Sequence, residues 1–213
     1  MRMSRVTYSM VANTGRKRSP GRPRAFDPDA ALDRAVELFW AGGFEGVDVA
    51  RIARAAGVTK PSLYRLFGDK SALFLQALQR YGQTIGAAPL AAFDAQPAIG
   101  DAVSALLEAS VRAATTEGRP SGCLMACVAA AQAEGSEDIR AEIAHGLGAL
   151  ADVLECRFEE EMTNGRLSTA TSARARSRLI VDMMQGLSLR ARAGALRDDL
   201  LEDARSYVAL VLR

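Results

Sequence analysis

Histidine is almost missing from this chain: His145 is the only one in 213 residues. The three cysteines form no Cys-x-x-Cys pair, so the spacing that a zinc site uses is absent and no metal is expected. An odd, small number of cysteines also argues against a disulfide framework and for a reduced, cytoplasmic protein. Aromatic residues make up only 6% of a chain that is 49% apolar, and Ala, Leu and Arg are abundant. That mixture favours helices over sheets and sets the expectation of an all-α fold. No run of eighteen uncharged apolar residues is present, so no membrane-spanning helix is expected. The N-terminus is basic without an apolar core, which does not fit a secretory signal.

What is present is unevenly charged. Residues 1–24 hold Arg2, Arg5, Arg16, Lys17, Arg18, Arg22 and Arg24 and no acid, a charge of +7 in a chain whose total is +2. The remainder is therefore acidic, and a basic arm on an acidic body is suited to a polyanion. The stretch RKRSPGRPR, residues 16–24, has too few apolar residues to order itself alone. Arginines of such arms can enter a narrow minor groove, which makes Arg22 and Arg24 candidate DNA contacts.

The segment that follows explains why a polyanion is needed. In VDVARIARAAGVTKPSLYRLFGDK, residues 47–70, the residues Val49, Ile52, Ala53 and Ala56 share one helical face. Asp48 stands where an N-cap belongs, and Gly57 ends that helix. Thr59 caps a second helix with Pro61 in its first turn, where a missing N–H costs little. This helix turns Leu63 and Phe67 toward a core and leaves Lys60, Ser62, Tyr64 and Arg65 for bases and phosphates. Two helices around a short glycine turn form a helix-turn-helix, whose second helix enters the major groove. A preceding helix from Asp27-Pro28 to Gly42-Gly43 and a following one from Asp69 complete the unit.

Residues 26–78, FDPDAALDRAVELFWAGGFEGVDVARIARAAGVTKPSLYRLFGDKSALFLQAL, resemble the N-terminal domain of tetracycline-repressor (TetR) family regulators. GVTKPSLYRLFGDK and the preceding GRPRAF carry the likeness. Where the family usually has Thr-Ser before the second helix, this chain has Val47-Asp48; the cap is kept and a hydroxyl is lost. The resemblance implies base reading through Lys60, Pro61 and Ser62 and a shared phosphate and thymine-methyl role for Tyr64. It also implies contacts from Thr59 and Arg65 and a phosphate contact from Lys70. Three units are expected: an arm (1–24), the helix-turn-helix domain (25–69), and a helical effector-binding and dimerisation domain (70–213) whose helix 70–87 links the two.

The second half reads as helices at 98–116, 123–134, 136–163, 172–193 and 198–212. The last two carry apolar stripes, and the resemblance implies a four-helix homodimer interface there. Ile180, Met184, Leu187, Leu201, Ala204, Tyr207, Val208 and Val211 are its expected members. An apolar effector pocket is expected inside the domain, with Leu107, Cys123, Cys127, His145, Met183 and Gln185 as candidate lining. Cys123 and Cys127 share a helix face and admit a thiol-redox or soft-metal reading, but free cysteine more often packs as a small hydrophobe. A Cys123 nucleophile with a His145 base would be an enzyme, without any flanking motif to support it. The reading as a whole is a ligand-responsive regulator, by family default a repressor. Its partners are double-stranded operator DNA, a small molecule and a second copy of itself; no cofactor, membrane or catalytic activity is expected.

Overall fold

The computed structural model describes residues 27–213, and these are helical with no strand among them. The basic arm, with Arg22 and Arg24, lies outside the described residues. The first four helices are α1 (Pro28–Gly42), α2 (Val49–Ala55), α3 (Lys60–Phe67) and α4 (Lys70–Gln83). Each begins where a side-chain oxygen can satisfy an unpaired amide of its first turn. Asp27 accepts from the amides of Asp29 and Ala30, Asp48 from Ala50, Thr59 from Ser62, and Asp69 from Ala72.

The remaining helices are α5 (Ala88–Asp94), α6 (Ile99–Ala114), α7 (Leu124–Cys127), α8 (Glu137–Thr163), α9 (Ala173–Arg192) and α10 (Arg197–Leu212). Two differ from the sequence expectation. The linking helix stops at Gln83 rather than 87, and α5 forms where only a loosened helix end was expected. Gly82 and Gly86 interrupt the run, while Pro89 falls in the first turn of α5, where proline is tolerated. The expected helix 123–134 is instead the short α7 followed by a single 3-10 turn, Ala129–Gln132. Leu124, Val128 and Ala129 are buried against α1–α4, while Cys123 and Met125 pack partly on that core and, with Ala126, line a cavity. A bend at Val128 (φ −126°, ψ −54°) lets one short segment serve both surfaces.

Two apolar cores result. One joins α1–α4 with Leu124, Val128, Ala129 and Ile139. Aromatic edges hold it together: Phe39 meets Phe74 with ring centroids 4.9 Å apart, and Trp40 meets Tyr81 at 5.2 Å. The second core lies among α5, α6, α8, α9 and α10. A polar clamp closes one end of it. The buried Glu161 carboxylate accepts from Arg157 Nε at 3.0 Å and from Arg166 Nε at 2.6 Å. Arg157 also donates to the carbonyls of Gln96 and Pro97, fastening the α5–α6 turn to α8.

The hydrogen bond from Arg166 and then that from Arg157 hold the Glu161 carboxyl below its usual range, against the opposing effect of burial. A lowered folded value means this contribution is complete above the unfolded carboxylate value of about 4.3 and fades as pH falls through the folded one. Glu161→Gln is therefore expected to lower the melting temperature at pH 7, with the gap to wild type closing below about pH 4. Thermal melts at several pH values check this; a gap independent of pH would contradict it.

Candidate DNA-reading face and effector cavity

The turn between α2 and α3 is built from backbone bonds that only a left-handed residue permits. Val58 N–H donates to the Ala53 carbonyl at 2.9 Å and Gly57 N–H to that of Arg54 at 3.1 Å. This paired closure requires positive φ at the residue after the cap, and Gly57 supplies φ +70°. The chain then enters α3 through Thr59, whose hydroxyl both accepts from the Ser62 amide and lies 2.9 Å from the Ser62 hydroxyl.

Leu63 and Phe67 anchor α3 in the first core. The opposite side is free: Thr59, Lys60, Pro61, Tyr64 and Arg65 are exposed, and Ser62 is half-buried beneath them. Lys60 Nζ stands 3.8 Å from the Asp48 carboxylate and 5.6 Å from the Tyr64 ring centre, so α2 and α3 jointly hold it over the helix start. Lys70, in the first turn of α4, reaches the Glu45 carbonyl at 3.5 Å and packs over Phe44 at 4.6 Å. The expected reading residues among 59–70 thus occupy one short helix and its two flanks. Val47 is fully buried, so this chain has no polar side chain to offer a phosphate there. Sequence reasoning passed over Leu66, an apolar side chain 48% exposed on α3, and over Arg51 and Arg54, both exposed on α2. Leu66 sits outside the apolar period of its helix, and that irregularity was the available signal.

A cavity of about 640 Å³ lies on the far side of α4. Tyr81 from α4, Ser110 from α6, Cys123 and Met125 from the α7 segment, His145 from α8 and Gln185 from α9 all face it. Cys123, His145 and Gln185 were expected there, although His145 is exposed rather than interior. Leu107, Cys127 and Met183 do not line it. Leu107 is fully buried in the second core, Met183 packs against that core, and Cys127 turns to the Ser188 carbonyl at 3.7 Å. Periodicity reports that a residue faces inward and does not tell core from cavity wall, so neighbours on one helix face were assigned together.

Two connections lead from the cavity wall to the reading unit. Tyr81 lines the cavity and packs edge-on against Trp40 of α1. Arg192, at the end of α9, donates through one guanidinium nitrogen to the carbonyls of Trp40 and Ser121, at 3.2 Å each. The wall is tight at this point. A Cβ at Gly122 (φ +80°) would come within 2.8 Å of both the Cys127 sulfur and the Ser188 carbonyl oxygen. Burial raises the Tyr81 phenol well above its ordinary value, and the adjacent Cys123 thiol adds to this, so Tyr81 is a neutral hydroxyl. Burial likewise raises the Cys127 thiol, which keeps it protonated and a poor nucleophile. Among the described residues, no group of three or more His, Cys, Asp or Glu could hold a metal ion.

The residues expected at a subunit interface divide in two. Ile180, Leu187, Leu201, Ala204 and Val211 are no more than 7% exposed in the chain's own core and cannot meet a partner unless that core opens. Met184, Tyr207 and Val208 are half-exposed. The apolar side chains that α9 and α10 leave outside are Leu179, Leu189 and Leu210, with Leu196 between the helices. An amphipathic helix shows its strongest stripe to its own domain, which is why the stripe misdirected the expectation.

The sequence model described as bacterial regulatory proteins, tetR family, matches residues 31–77. The transcriptional repressor ComR of Escherichia coli K12 is 29% identical over 195 residues, spanning 91% of this chain and 93% of ComR. The repressor BdcR of the same organism is 38% identical over 110 residues, 51% of this chain and 55% of BdcR. Among solved structures, a cysteine-substituted form of the TetR family regulator CifR, complexed with a 26-base-pair operator duplex, superposes with a TM-score of 0.79. It is 31% identical, with 88% of this chain and 98% of that one covered. A capped reading helix, an all-helical architecture among the described residues and this likeness along nearly the whole length lead to one assignment: the chain belongs to the TetR family of bacterial regulatory proteins.

Proposed function

We propose that this protein is a homodimeric repressor that reads a palindromic operator with α3 and leaves it when a small molecule fills the cavity. The observation that carries this reading is the α3 surface, where exposed hydrogen-bonding side chains stand on a helix locked from beneath by Leu63 and Phe67. The operator complex of CifR and the repressor names of ComR and BdcR support it. One eight-residue helix offers few base contacts, so two half-sites read by a twofold dimer are needed for useful specificity.

In this reading residues 25–69 form the reading unit, α4 links it to the effector unit, and the arm with Arg22 and Arg24 adds phosphate contacts. Lys60, Pro61 and Ser62 meet base edges, while Thr59, Tyr64, Arg65 and Lys70 fix register on the backbone. A filled cavity presses on Tyr81 and the Gly122 turn, and both pass the displacement to Trp40. The redox and soft-metal alternative through Cys123 and Cys127 is not favoured, because Cys127 is a shielded, protonated thiol bonded to a carbonyl. Nothing joins Cys123 and His145 into a catalytic pair: the cavity admits both, but no contact between them is seen.

Two measurements follow. Binding to duplex DNA from upstream of the gene, followed by fluorescence anisotropy across salt, separates the lysines. Lys60→Ala should reduce the preference for operator over random duplex by about tenfold, the worth of one good base contact. Lys70→Ala should weaken both duplexes alike and flatten the salt slope by about one unit per half-site. Equal losses on both duplexes for Lys60→Ala would remove it from base reading. For assembly, the exposed faces of α9 and α10 carry the interface. The double variant Leu179→Glu, Leu210→Glu should sediment as a folded monomer with wild-type helicity and weakened operator binding. A folded dimer at micromolar concentration would place the interface elsewhere.

A further inference from the structure

We propose that the effector is an uncharged, largely apolar molecule, and that the cavity discriminates against anions; this rests on the regulator reading above. The cavity exists because its walls are cut back. Gly82, Gly86, Ala113, Gly122, Ala126 and Gly146 contribute no more than a methyl group each. These small residues come from α4, the turn after it, α6, the α7 segment and α8, so several elements around the space make room for it rather than one poor contact. The cavity opens to solvent on one side, and about 640 Å³ is the room that a small multi-ring ligand needs. Met125 and Met184 supply flexible apolar contact, with Met125 resting on Gly146, where a Cβ would meet its methyl at 3.1 Å.

The polar groups on the wall set the charge of the guest. No arginine or lysine lines the cavity among the described residues, and the one carboxylate is Glu142, half-exposed and accepting from Gln79 Nε2 at 3.1 Å. His145 is the one lining side chain able to carry positive charge, and it is exposed. An anion in the buried part of the cavity would therefore be desolvated near Glu142 with no cation beside it, a costly arrangement. A cation would find only Glu142, which Gln79 already engages. The deeper wall offers neutral hydroxyls and an amide: Tyr81, Ser188 and Gln185, with Ser110 already donating to the Leu106 carbonyl at 2.7 Å. Such groups satisfy one or two carbonyl, ether or hydroxyl oxygens on an otherwise apolar guest.

Two dyes of one ring skeleton test this directly. N-phenyl-1-naphthylamine is uncharged, and 1-anilinonaphthalene-8-sulfonate carries a sulfonate. Trp40, the chain's only tryptophan, packs against the cavity-lining Tyr81, so quenching of its emission reports occupancy alongside the dye's own signal. The uncharged dye should bind the full-length dimer at least about tenfold more tightly than the sulfonate, a difference of about 1.4 kcal/mol. Ala149→Phe, which intrudes on the space from α8, should weaken that binding while wild-type helicity is retained. Glu142→Lys should improve sulfonate binding, and the milder Glu142→Gln should do so to a smaller degree. Sulfonate binding as tight as that of the uncharged dye, displacement of the uncharged dye by tetraphenylphosphonium at lower concentration than its own Kd, or no saturable binding of the uncharged dye would each overturn the proposal. Loss of preference for the upstream duplex would instead overturn the regulator reading and leave the dye ranking intact.

Discussion

The edge-on contact between Trp40 and Tyr81, with ring centroids 5.2 Å apart, is the constraint on which the rest of the molecule turns. Trp40 closes α1 inside the reading unit, and Tyr81 closes α4 at the cavity. Their packing fixes α1 against α4 inside one core, at the point where Arg192 of α9 reaches the Trp40 carbonyl. An aromatic pair of this kind contributes about 0.5–1.5 kcal/mol beyond the area it buries. That is enough to favour one arrangement and small enough for a ligand to shift it. Arg192 fastens the same point from the other side by bonding the Trp40 and Ser121 carbonyls. The cavity wall and the reading unit thus share a joint instead of communicating through a long chain of contacts.

From that joint α4 runs back roughly 16 Å to Lys70, just past the end of the reading helix α3. Gln76 bonds the Phe67 carbonyl at 3.0 Å and Gln79 meets Glu142 of α8, so α4 is tied to the end of α3 and to the cavity rim. Under the proposed mechanism, this tethered helix would convert a small displacement at Tyr81 into a tilt of α3. In a twofold dimer that tilt alters the separation of two reading helices, which must match one turn of DNA. Close-packed cores switch between packings instead of deforming smoothly, which suits a two-state response.

How much of this was legible in the sequence follows from the physics of each signal. Caps, glycine stops and local periodicity act within a few residues, so α1–α4 were readable down to Asp48, Gly57 and Thr59. Long amphipathic helices such as α8 and α9 were also legible. The α7 segment was not, because it is apolar on two sides and bends at Val128 to serve both, and a run without a polar face contains no sign of a bend. Which inward residue meets core and which meets empty space depends on neighbours far along the chain. Leu107, Cys127 and Met183 were therefore misassigned to the cavity, and Tyr81 was not among its expected lining. Arg192 was illegible for the same reason: its partner Trp40 lies 152 residues away. The five stripe residues of α9 and α10 that turned inward show that a helix pair has two faces and that the more apolar one belongs to its own chain.

The central claim is that occupying the cavity and gripping DNA oppose each other through one joint. Coupling of that kind is reciprocal, so the cleanest measurement runs from DNA to cavity. The affinity of N-phenyl-1-naphthylamine should be determined with and without a saturating operator duplex defined by footprinting. The account predicts binding weakened by at least about fivefold when the duplex is bound, the lower end of ordinary allosteric coupling. An affinity unchanged by the duplex, with the dye shown to sit in the cavity, would contradict it.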